Sequence, residues 1–439
     1  MRTTANWEPY VSIMQKKMVS ALGCTEPVAV ALCTARARAL LGEAVPLERI
    51  EISVSKSILK NAMGVTIPGT NLCGVNYAAA LGATGGNYKR NLQVLESCTP
   101  QDLEDTLTLV KAGQVSVSLD RDAPPVYVKA AAYGGGHCGT AVIAGEHDRF
   151  VQLIRDGEVF LNLPVEHGAD EEKEREAVLR DLSFRGVYSF ATTAPLSCFD
   201  LVVRSILLNR RISDDGLVHD YGLHLGKLLK EQLADGTPAQ NLEERALMRT
   251  SAAIDARMSG SPLAVMANSG SGNQGITATI PVYSVACDIG ADDEKTIRAV
   301  TLSHMTAIYI KQHLSSLSSL CGAIVAAIGA GCGIVYLLGG DFDAIERTVV
   351  NMIAAITGMI CDGAKASCSL KVAAALQCCF NAVNLAMSGI RVTSIQGITG
   401  ETAEETIDNL GRLNLYGMEQ TDDVILDIML EKQLEQTSK

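Results

Sequence analysis

Aromatic residues are scarce in this 439-residue chain, at 4% of the sequence, although 47% of it is hydrophobic. Glycine, alanine, valine and isoleucine are abundant instead, and a core of such small side chains lets helices approach one another closely. Basic residues are also outnumbered, with 37 Lys and Arg against 49 Asp and Glu. The net charge of −12 and the lack of a basic stripe argue against a nucleic-acid partner, because phosphate binding requires clustered cations.

The first residues, Met1–Met14, lack the apolar core and the small-residue cleavage site of a secretory signal. One stretch, Cys321–Leu338, is almost wholly apolar, and its length suggests a membrane span. Its richness in Gly and Ala, and the lack of a basic residue directly beside it, favour a buried core helix instead. We therefore expect a cytoplasmic protein that does not associate with a membrane.

No C-x-x-C pair occurs among the 13 cysteines. Without a secretory signal, this number of cysteines indicates reduced thiols rather than a disulfide framework. Six of them lie between Cys321 and Cys379, and this local surplus suggests metal chemistry. Spacing alone is a weak signal, because free cysteines are also among the residues most often buried.

Two parts of the chain differ in hydrophobic periodicity. Alternating residues predict strands at 51–55, 114–119, 126–130 and 140–144, and Phe150–Phe160 has the pattern of a hairpin with Asp-Gly at its turn. After an acidic segment, Val165–Glu176, which we interpret as a linker, helical patterns continue to a polar tail beyond Leu430. The predicted class is α+β, with a mixed α/β domain over 1–168 and a mainly helical, Gly/Ala-rich domain over 175–439.

The helical pattern of Trp7–Leu41 is interrupted at Gly23–Pro27. Pro27 is typical of the first turn of a helix, which places Cys24 at a helix N-terminus. Because the helix dipole lowers the pKa of a thiol in that position, we expect Cys24 to be a thiolate.

The segment Ser269–Gly275 matches G-x-G-x-x-G. A dinucleotide site needs a preceding strand, a long following helix and a second strand, and Pro281 follows too soon for that pattern. We expect instead a nest of backbone N–H groups that binds a small anion such as a substrate carboxylate, helped by Ser269, Ser271 and Asn273. The alternative is an ordinary flexible turn.

Cys361 and Cys368 are seven residues apart, which on an unbroken helix corresponds to about 10 Å of rise. That separation is too large for neighbouring ligands of one cluster, but Gly363 offers a break. We therefore predict that a helix over Val349–Ile360 ends near Cys361 and that the chain turns before Cys368. Buried core positions are the alternative for the cysteines here, and we assign them to Cys332, Cys378 and Cys379.

Five motifs in order along the chain together resemble the iron–sulfur L-cysteine desulfidase family, which is related to the α chain of iron–sulfur L-serine dehydratases. The motifs are Gly23–Pro27, Lys60–Gly69, Tyr133–His137, Ser269–Gly275 and Cys361–Cys368. The resemblance implies a 4Fe-4S cluster held by three cysteines, with one iron open to substrate and no pyridoxal phosphate. By motif, those cysteines are Cys321, Cys361 and Cys368.

Two departures accompany this resemblance. Cys368 stands closer to Cys361 than its counterpart does in the serine dehydratases. Cys24 stands where those enzymes have a Ser-rich, His-containing motif, and this difference favours a sulfur substrate over a hydroxyl one.

The implied reaction is β-elimination from L-cysteine to pyruvate, ammonia and sulfide. The base that removes the α-proton is Cys24, Lys60 or His137, with Cys24 preferred, and His137 could instead bind the substrate carboxylate. Thr25, Glu26 and Asn61 are expected to contact the substrate. The alternatives are an L-serine dehydratase and a non-catalytic iron–sulfur or amino-acid sensor, and a homodimer is possible in each case.

Overall fold

The computed structural model describes residues 6–42, 44–165, 177–234, 242–314, 318–418 and 420–437. A sheet-containing N-terminal part and a helical C-terminal part confirm the predicted α+β class. Apart from Val165, the predicted linker Val165–Glu176 lies outside the described residues, and the domain bounds 1–168 and 175–439 stay predictions.

Eight strands and sixteen helices are named below within the described ranges. The strands are β1 (Met18–Leu22), β2 (Arg49–Ser55), β3 (Val115–Asp120), β4 (Tyr127–Gly134), β5 (His137–Ala144), β6 (Phe150–Arg155), β7 (Glu158–Asn162) and β8 (Ala264–Asn268). The first eight helices are α1 (Glu8–Lys17), α2 (Thr25–Leu41), α3 (Lys56–Ala62), α4 (Val75–Thr84), α5 (Pro100–Lys111), α6 (Phe184–Thr193), α7 (Asp200–Gly216) and α8 (Leu225–Ala234). The second eight are α9 (Leu242–Met258), α10 (Gly272–Asp288), α11 (Asp293–Gln312), α12 (Gly322–Leu337), α13 (Phe342–Ile356), α14 (Cys368–Met387), α15 (Ala403–Arg412) and α16 (Thr421–Thr437).

The larger sheet has the strand order β3-β2-β4-β5-β6-β7. β2 and β3 are parallel, and the other neighbours are antiparallel. On β2, Ile50, Ile52 and Val54 are buried on one face; α4 packs against β2 and β3, and α2 packs against β4 and β5. The four predicted strands and the hairpin are confirmed, and Asp156-Gly157 forms the predicted turn, with φ values of 50° and 86°.

A second, two-stranded sheet joins a segment near residue 20 to one near residue 266. The predicted helix over Trp7–Leu41 is wrong at Met18–Leu22, which form β1 and pair antiparallel with β8. The short apolar run of β1 has no periodicity that separates a strand from a helix, and its partner lies more than 240 residues away. The pairing sets the start of α2 beside the loop that follows β8, where the Thr25 hydroxyl donates to the Gly270 carbonyl at 2.9 Å.

The helix α10 corrects a second expectation. It follows β8 and runs from Gly272 to Asp288 with Pro281 inside it, so Pro281 does not end the helix. Within the described part of the chain, β8 pairs only with β1, and that pairing is antiparallel. A parallel βαβ unit is therefore not formed there, and the rejection of a dinucleotide fold rests on this topology rather than on Pro281.

The apolar stretch Cys321–Leu338 contains α12, which is buried along almost its whole length. α12 packs against α10, α11, α13 and α14, which confirms the prediction of a core helix. Among the described helices, only α14 has both the length and the apolar composition of a membrane span, and it packs against α9, α12 and α13.

The chain between α13 and α14 breaks as predicted, although α13 ends at Ile356 rather than near Cys361. Gly363 has a φ of 92°, a conformation that glycine adopts without strain, and α14 begins at Cys368. The break is tied to the segment before α12 by an antiparallel bridge between Leu320 and Ile360. Consequently the N–H of Cys361 donates to Ser319 at 2.8 Å and that of Cys321 donates to Met359 at 3.0 Å.

The C-terminal helix α16 packs against α3 in the N-terminal part. Lys60 of α3 is buried and pairs with Asp422 of α16 at 2.6 Å, while its Nζ also donates to the Cys361 carbonyl at 3.3 Å. Leu426 of α16 is fully buried in the core of the N-terminal part. α16 therefore holds α3 and, through Lys60, the loop that carries Cys361.

The close approach of helices expected from the small side chains is testable at Gly82. A Cβ added there would overlap the backbone of Ala31 in α2. We expect Gly82→Ala to lower the free energy of unfolding by about 1–3 kcal/mol, because α4 must move away from α2. Gly358→Ala is the matched control, since a Cβ there meets open space. Urea unfolding of both variants measures the difference, and equal stabilities would contradict the packing argument.

The Lys60–Asp422 pair gives a second stability prediction. Asp422→Asn leaves the buried Lys60 ammonium without its counter-charge, which costs about 3 kcal/mol, at the low end of the usual range because Asp422 keeps 21% of its side chain exposed. Asp427→Asn, which removes an exposed pair with Arg121, should unfold like the unmodified protein. Urea unfolding compares the two, and an unchanged midpoint for Asp422→Asn would show that the pair does not hold α16.

Candidate active site

A pocket with a cavity volume of about 130 Å³ lies where the starts of α2, α10, α12 and α14 meet. This volume is close to that of cavities that hold a benzene-sized ligand and is too small for a dinucleotide. Eleven of the twelve residues proposed from the sequence line it, and their roles stay predictions. They are Cys24, Thr25, Glu26, Lys60, Asn61, Ser269, Ser271, Asn273, Cys321, Cys361 and Cys368.

The three predicted cluster cysteines come from separate elements. Cys321 directly precedes α12, Cys361 lies in the loop after α13, and Cys368 is the first residue of α14. Burial, and to a smaller extent the nearby Cys361, raise the pKa of Cys321 to about 12, and burial is also the main cause of a raised pKa at Cys368. The thiols are thus close enough to influence one another, and a bound cation would favour their thiolate forms.

This arrangement fits an iron–sulfur cluster better than a single metal ion. Among the described residues, no three His, Cys, Asp or Glu side chains are arranged to hold one ion. Cys321 and Cys361 are diagonal neighbours across the Leu320–Ile360 bridge, a relation in which Cβ atoms lie roughly 7 Å apart. A cluster can use such separated sulfurs, because each thiolate binds a different iron. Three soft thiols in the wall of one pocket are the donor set that such a centre requires.

Cys24 lies where it was predicted, at a helix N-terminus, but its protonation state differs from the prediction. It is the N-cap residue of α2 and is 1% exposed. Burial raises the pKa of Cys24 to about 12, and the opposing influence of the Arg257 guanidinium is smaller. The expectation of a thiolate is therefore wrong, because the loss of water around the sulfur outweighs the helix dipole.

The other two proposed bases differ in placement. Lys60 lines the pocket, but its ammonium is held by Asp422 and by the Cys361 carbonyl. His137 lies outside the pocket, at the exposed start of β5, where Nδ1 is 2.8 Å from an Asp156 carboxylate oxygen. The Gly-rich segment before it forms the tight turn between β4 and β5, so a hairpin accounts for that motif. The placement gives no support to His137 as a base or a carboxylate ligand.

The loop Ser269–Gly275 is held by a network of hydrogen bonds. The Asn268 side-chain oxygen accepts from the Ser269 hydroxyl at 2.9 Å and from the Gln274 amide at 3.1 Å. The Asn268 amide donates to His304 Nδ1 at 2.9 Å. Burial lowers the pKa of His304 to about 3, so the ring is neutral, and Nδ1 accepts in the tautomer whose proton is on Nε2, within reach of the Thr279 hydroxyl. The buried His304 therefore orients the loop that carries the proposed anion-binding residues.

Arg257, at the end of α9, was not found from the sequence. It is 3% exposed and lines the pocket, with Nη1 donating to Asn273 at 2.8 Å and Nη2 donating to the Gly23 carbonyl at 2.7 Å. Its Nε has no hydrogen-bond partner, and no ion pair with a carboxylate is formed by Arg257 within the described ranges. The sequence gives no signal for it, because Asp255 stands two residues before it and Arg257 is therefore not an isolated charge in its helix.

Lys311, in the last turn of α11, is a second pocket residue that the sequence reasoning missed. Burial lowers the pKa of Lys311 to about 8. A signal was present: Lys311 is the only Lys, Arg, Asp or Glu between Arg298 and Asp341. Isolated charges in such long apolar segments are retained at a cost and are candidates for function.

His147 is the third missed residue and lies in the loop between β5 and β6. It lines the pocket near Gly270, and its buried Nε2 has no hydrogen-bond partner within the part of the chain described. Its loop is polar and unremarkable in sequence. Only the folded chain brings it to the site.

Comparison with known proteins agrees with this geometry. The family model described as serine dehydratase alpha chain matches residues 89–427, which include the three cysteines and the Ser269–Gly275 loop. A UPF0597 protein of Oleidesulfovibrio alaskensis is 44% identical over 97% of this chain and 98% of its own length. A UPF0597 protein of Bacteroides fragilis is 43% identical over 98% and 99%, and the UPF0597 protein YhaM of Salmonella typhimurium is 40% identical over 97% and 98%. The chain belongs to the serine dehydratase alpha chain family, whose members are subunits of iron–sulfur-dependent dehydratases.

Proposed function

We propose that this protein is a lyase that eliminates sulfide from L-cysteine, with a 4Fe-4S cluster held by Cys321, Cys361 and Cys368. One observation carries the proposal: three thiols line the same small pocket as a buried guanidinium, Arg257, and a carboxylate, Glu26. Opposite charges in a pocket of this size suit the two charged groups of an α-amino acid. Soft sulfur donors beside them suit an iron centre.

The chemistry of such a cluster, when bound, is that of a Lewis acid that stabilises the charge of a leaving group. The protein supplies the remaining functions. Lys60, paired with Asp422, positions the Cys361 carbonyl and hence its loop. No lysine Schiff base with pyridoxal phosphate is needed in this scheme.

Lys311 is the proton acceptor that the geometry supports best. Cys24 keeps its proton and Lys60 is held in an ion pair, whereas the side chain of Lys311 has no hydrogen-bond or ion-pair partner within the described ranges. Its neutral Nζ accepts the Cα proton as the Cα=Cβ bond forms and the C–S bond breaks, and sulfide leaves. The aminoacrylate tautomerises to its imine, which water hydrolyses to pyruvate and ammonia.

L-Cysteine is preferred over L-serine because of the groups that line the pocket. Cys24 adds an uncharged thiol to a wall that also contains Leu320, Ala323 and Val372. Such a wall accepts a substrate thiol more readily than a hydroxyl, which would lose hydrogen bonds to water there. The family name favours L-serine, and a serine dehydratase is therefore the second candidate.

Anaerobic purification with iron and sulfide analysis tests the cluster, and sulfide release from L-cysteine against pyruvate release from L-serine tests the substrate. We expect Cys361→Ala to lose bound iron and activity together. Cys378→Ala is the matched control, since Cys378 is a half-buried thiol of α14 outside the pocket. Protein that holds no iron after reconstitution would falsify the cluster assignment. Iron binding without turnover of either amino acid would support a sensor.

The pH dependence of turnover tests Lys311. Because a base must be deprotonated and the pKa of Lys311 is lowered to about 8, kcat/KM should rise as the pH increases through about 8. The Lys311→Gln variant should not show this rise, and its kcat should be about 10²–10⁴-fold lower. Iron content of the variant serves as the control for cluster loading. An iron-loaded variant with an unchanged pH profile would exclude Lys311 and turn attention to His147.

A further inference from the structure

We infer that Arg257 and the N-terminal turn of α10 form the subsite for the substrate's α-carboxylate, and that this subsite restricts the enzyme to α-carboxylate substrates. The inference rests on the proposed function, since it names which part of the pocket recognises which group of the amino acid. It assigns a role to Arg257 and explains why residue 272 is a glycine.

The guanidinium of Arg257 is a buried charge in need of an anion. Its hydrogen bonds go to neutral acceptors, the Asn273 side chain and the Gly23 carbonyl. Nε has no partner, and no carboxylate pairs with Arg257 in the portion of the chain described. Burying an unpaired cation is costly, so such a residue in a pocket wall indicates a ligand of opposite charge.

The N-terminus of α10 adds positive potential at the same place. α10 has 17 residues and begins at Gly272, and the first N–H groups of a helix have no partner within it. The positive end of the helix dipole therefore faces the pocket where the Arg257 guanidinium already lies. Two positive groups side by side repel each other until an anion lies between them, and a carboxylate can accept from both.

Gly272 lets the two groups meet. A Cβ at Gly272 would overlap Nε and the central carbon of the Arg257 guanidinium. Only glycine therefore allows the guanidinium to lie against the first turn of α10. The loop itself is fixed by Ser271, whose side chain accepts from the Gln274 N–H at 3.3 Å, and by Asn268.

The other charged groups of the pocket agree with this assignment. Glu26 is linked to the loop by Thr25, whose hydroxyl lies 3.1 Å from Glu26 Oε2 and 2.9 Å from the Gly270 carbonyl. A carboxylate at Glu26 suits the substrate ammonium and repels a carboxylate from its own position. Lys60 is occupied by Asp422. Lys311, the remaining lysine of the pocket, is the neutral proton acceptor in the proposed function. Arg257 and the α10 turn are therefore the place for the substrate carboxylate.

The test compares ligands that differ only in the carboxylate. Ethylamine is L-alanine without its carboxylate, and neither has a leaving group, so calorimetry on the anaerobic, iron-loaded full-length protein measures binding without turnover. We expect L-alanine to bind and ethylamine to bind at least 10-fold more weakly. This comparison uses the unmodified protein and does not depend on how any variant folds.

Variants assign the effect to Arg257. Arg257→Gln should weaken L-alanine binding about 10- to 100-fold, raise KM for L-cysteine more than it lowers kcat, and leave ethylamine binding unchanged. Arg257→Lys should recover part of the loss. Arg210→Gln, which changes an exposed arginine of α7, is the matched control and should bind like the unmodified protein. Thermal unfolding and iron content show that each variant is folded and loaded.

Two outcomes would overturn the inference: equal binding of ethylamine and L-alanine, or a folded Arg257→Gln protein that binds L-alanine normally. Failure of the proposed function gives a different result. A protein that turns over neither L-cysteine nor L-serine, yet binds L-alanine in an Arg257-dependent way, would support the carboxylate subsite and contradict the lyase function.

Discussion

The pairing of β1 with β8 is the constraint on which the site depends. It links a strand near residue 20 to one near residue 266 and places the starts of α2 and α10 next to each other. Those helix starts carry Cys24 and the Ser269–Gly275 loop, and Arg257 reaches both of them through Gly23 and Asn273. Elements near each end of the chain also pack against the opposite part. α1 and β1 pack with the helical C-terminal part, and α16 packs on α3 in the N-terminal part. The pocket is consequently a product of the whole fold, and no single segment contains it.

Electrostatics explains why this pocket differs from the rest of the molecule. The chain has a net charge of −12, yet three cations, Lys60, Arg257 and Lys311, converge on one cavity. Of these, Lys60 has a carboxylate partner, Asp422, and it is the one that holds structure together. Glu26 is the one carboxylate among the described lining residues, and it forms no ion pair with either of the other two cations. The cysteine thiols, once deprotonated by a bound metal, and a substrate carboxylate would supply further negative charge, so metal and substrate binding would each offset the cost of burying these cations.

Features of the fold that depend on a local sequence pattern were predicted better than those that depend on residues far apart in the chain. The alternating strands, the Asp-Gly hairpin and the break at Gly363 depend on neighbouring residues, and the structure confirms them. β1 was missed because a five-residue apolar run has no periodicity of its own and its partner is far away in the chain. The state of Cys24 was wrong for a related reason: the position at a helix start is local, but burial is set by the surrounding fold, and burial has the larger effect on its pKa. Lys311 could have been found as a lone charge in an apolar segment, whereas Arg257 and His147 become pocket residues only after folding.

The glycines of Ser269–Gly275 show why a motif does not name its ligand. Their spacing matches that of a dinucleotide-binding loop, and the loop does join a strand to a helix, as such a loop would. In this structure, however, the glycines allow close packing contacts. A Cβ at Gly275 would overlap the Met266 carbonyl of β8, and one at Gly272 would overlap the Arg257 guanidinium. The first contact sets how closely α10 lies on its strand, and the second sets which charge faces the helix N-terminus. In a dinucleotide site the corresponding space is left for a pyrophosphate, whereas here the Arg257 guanidinium fills part of it.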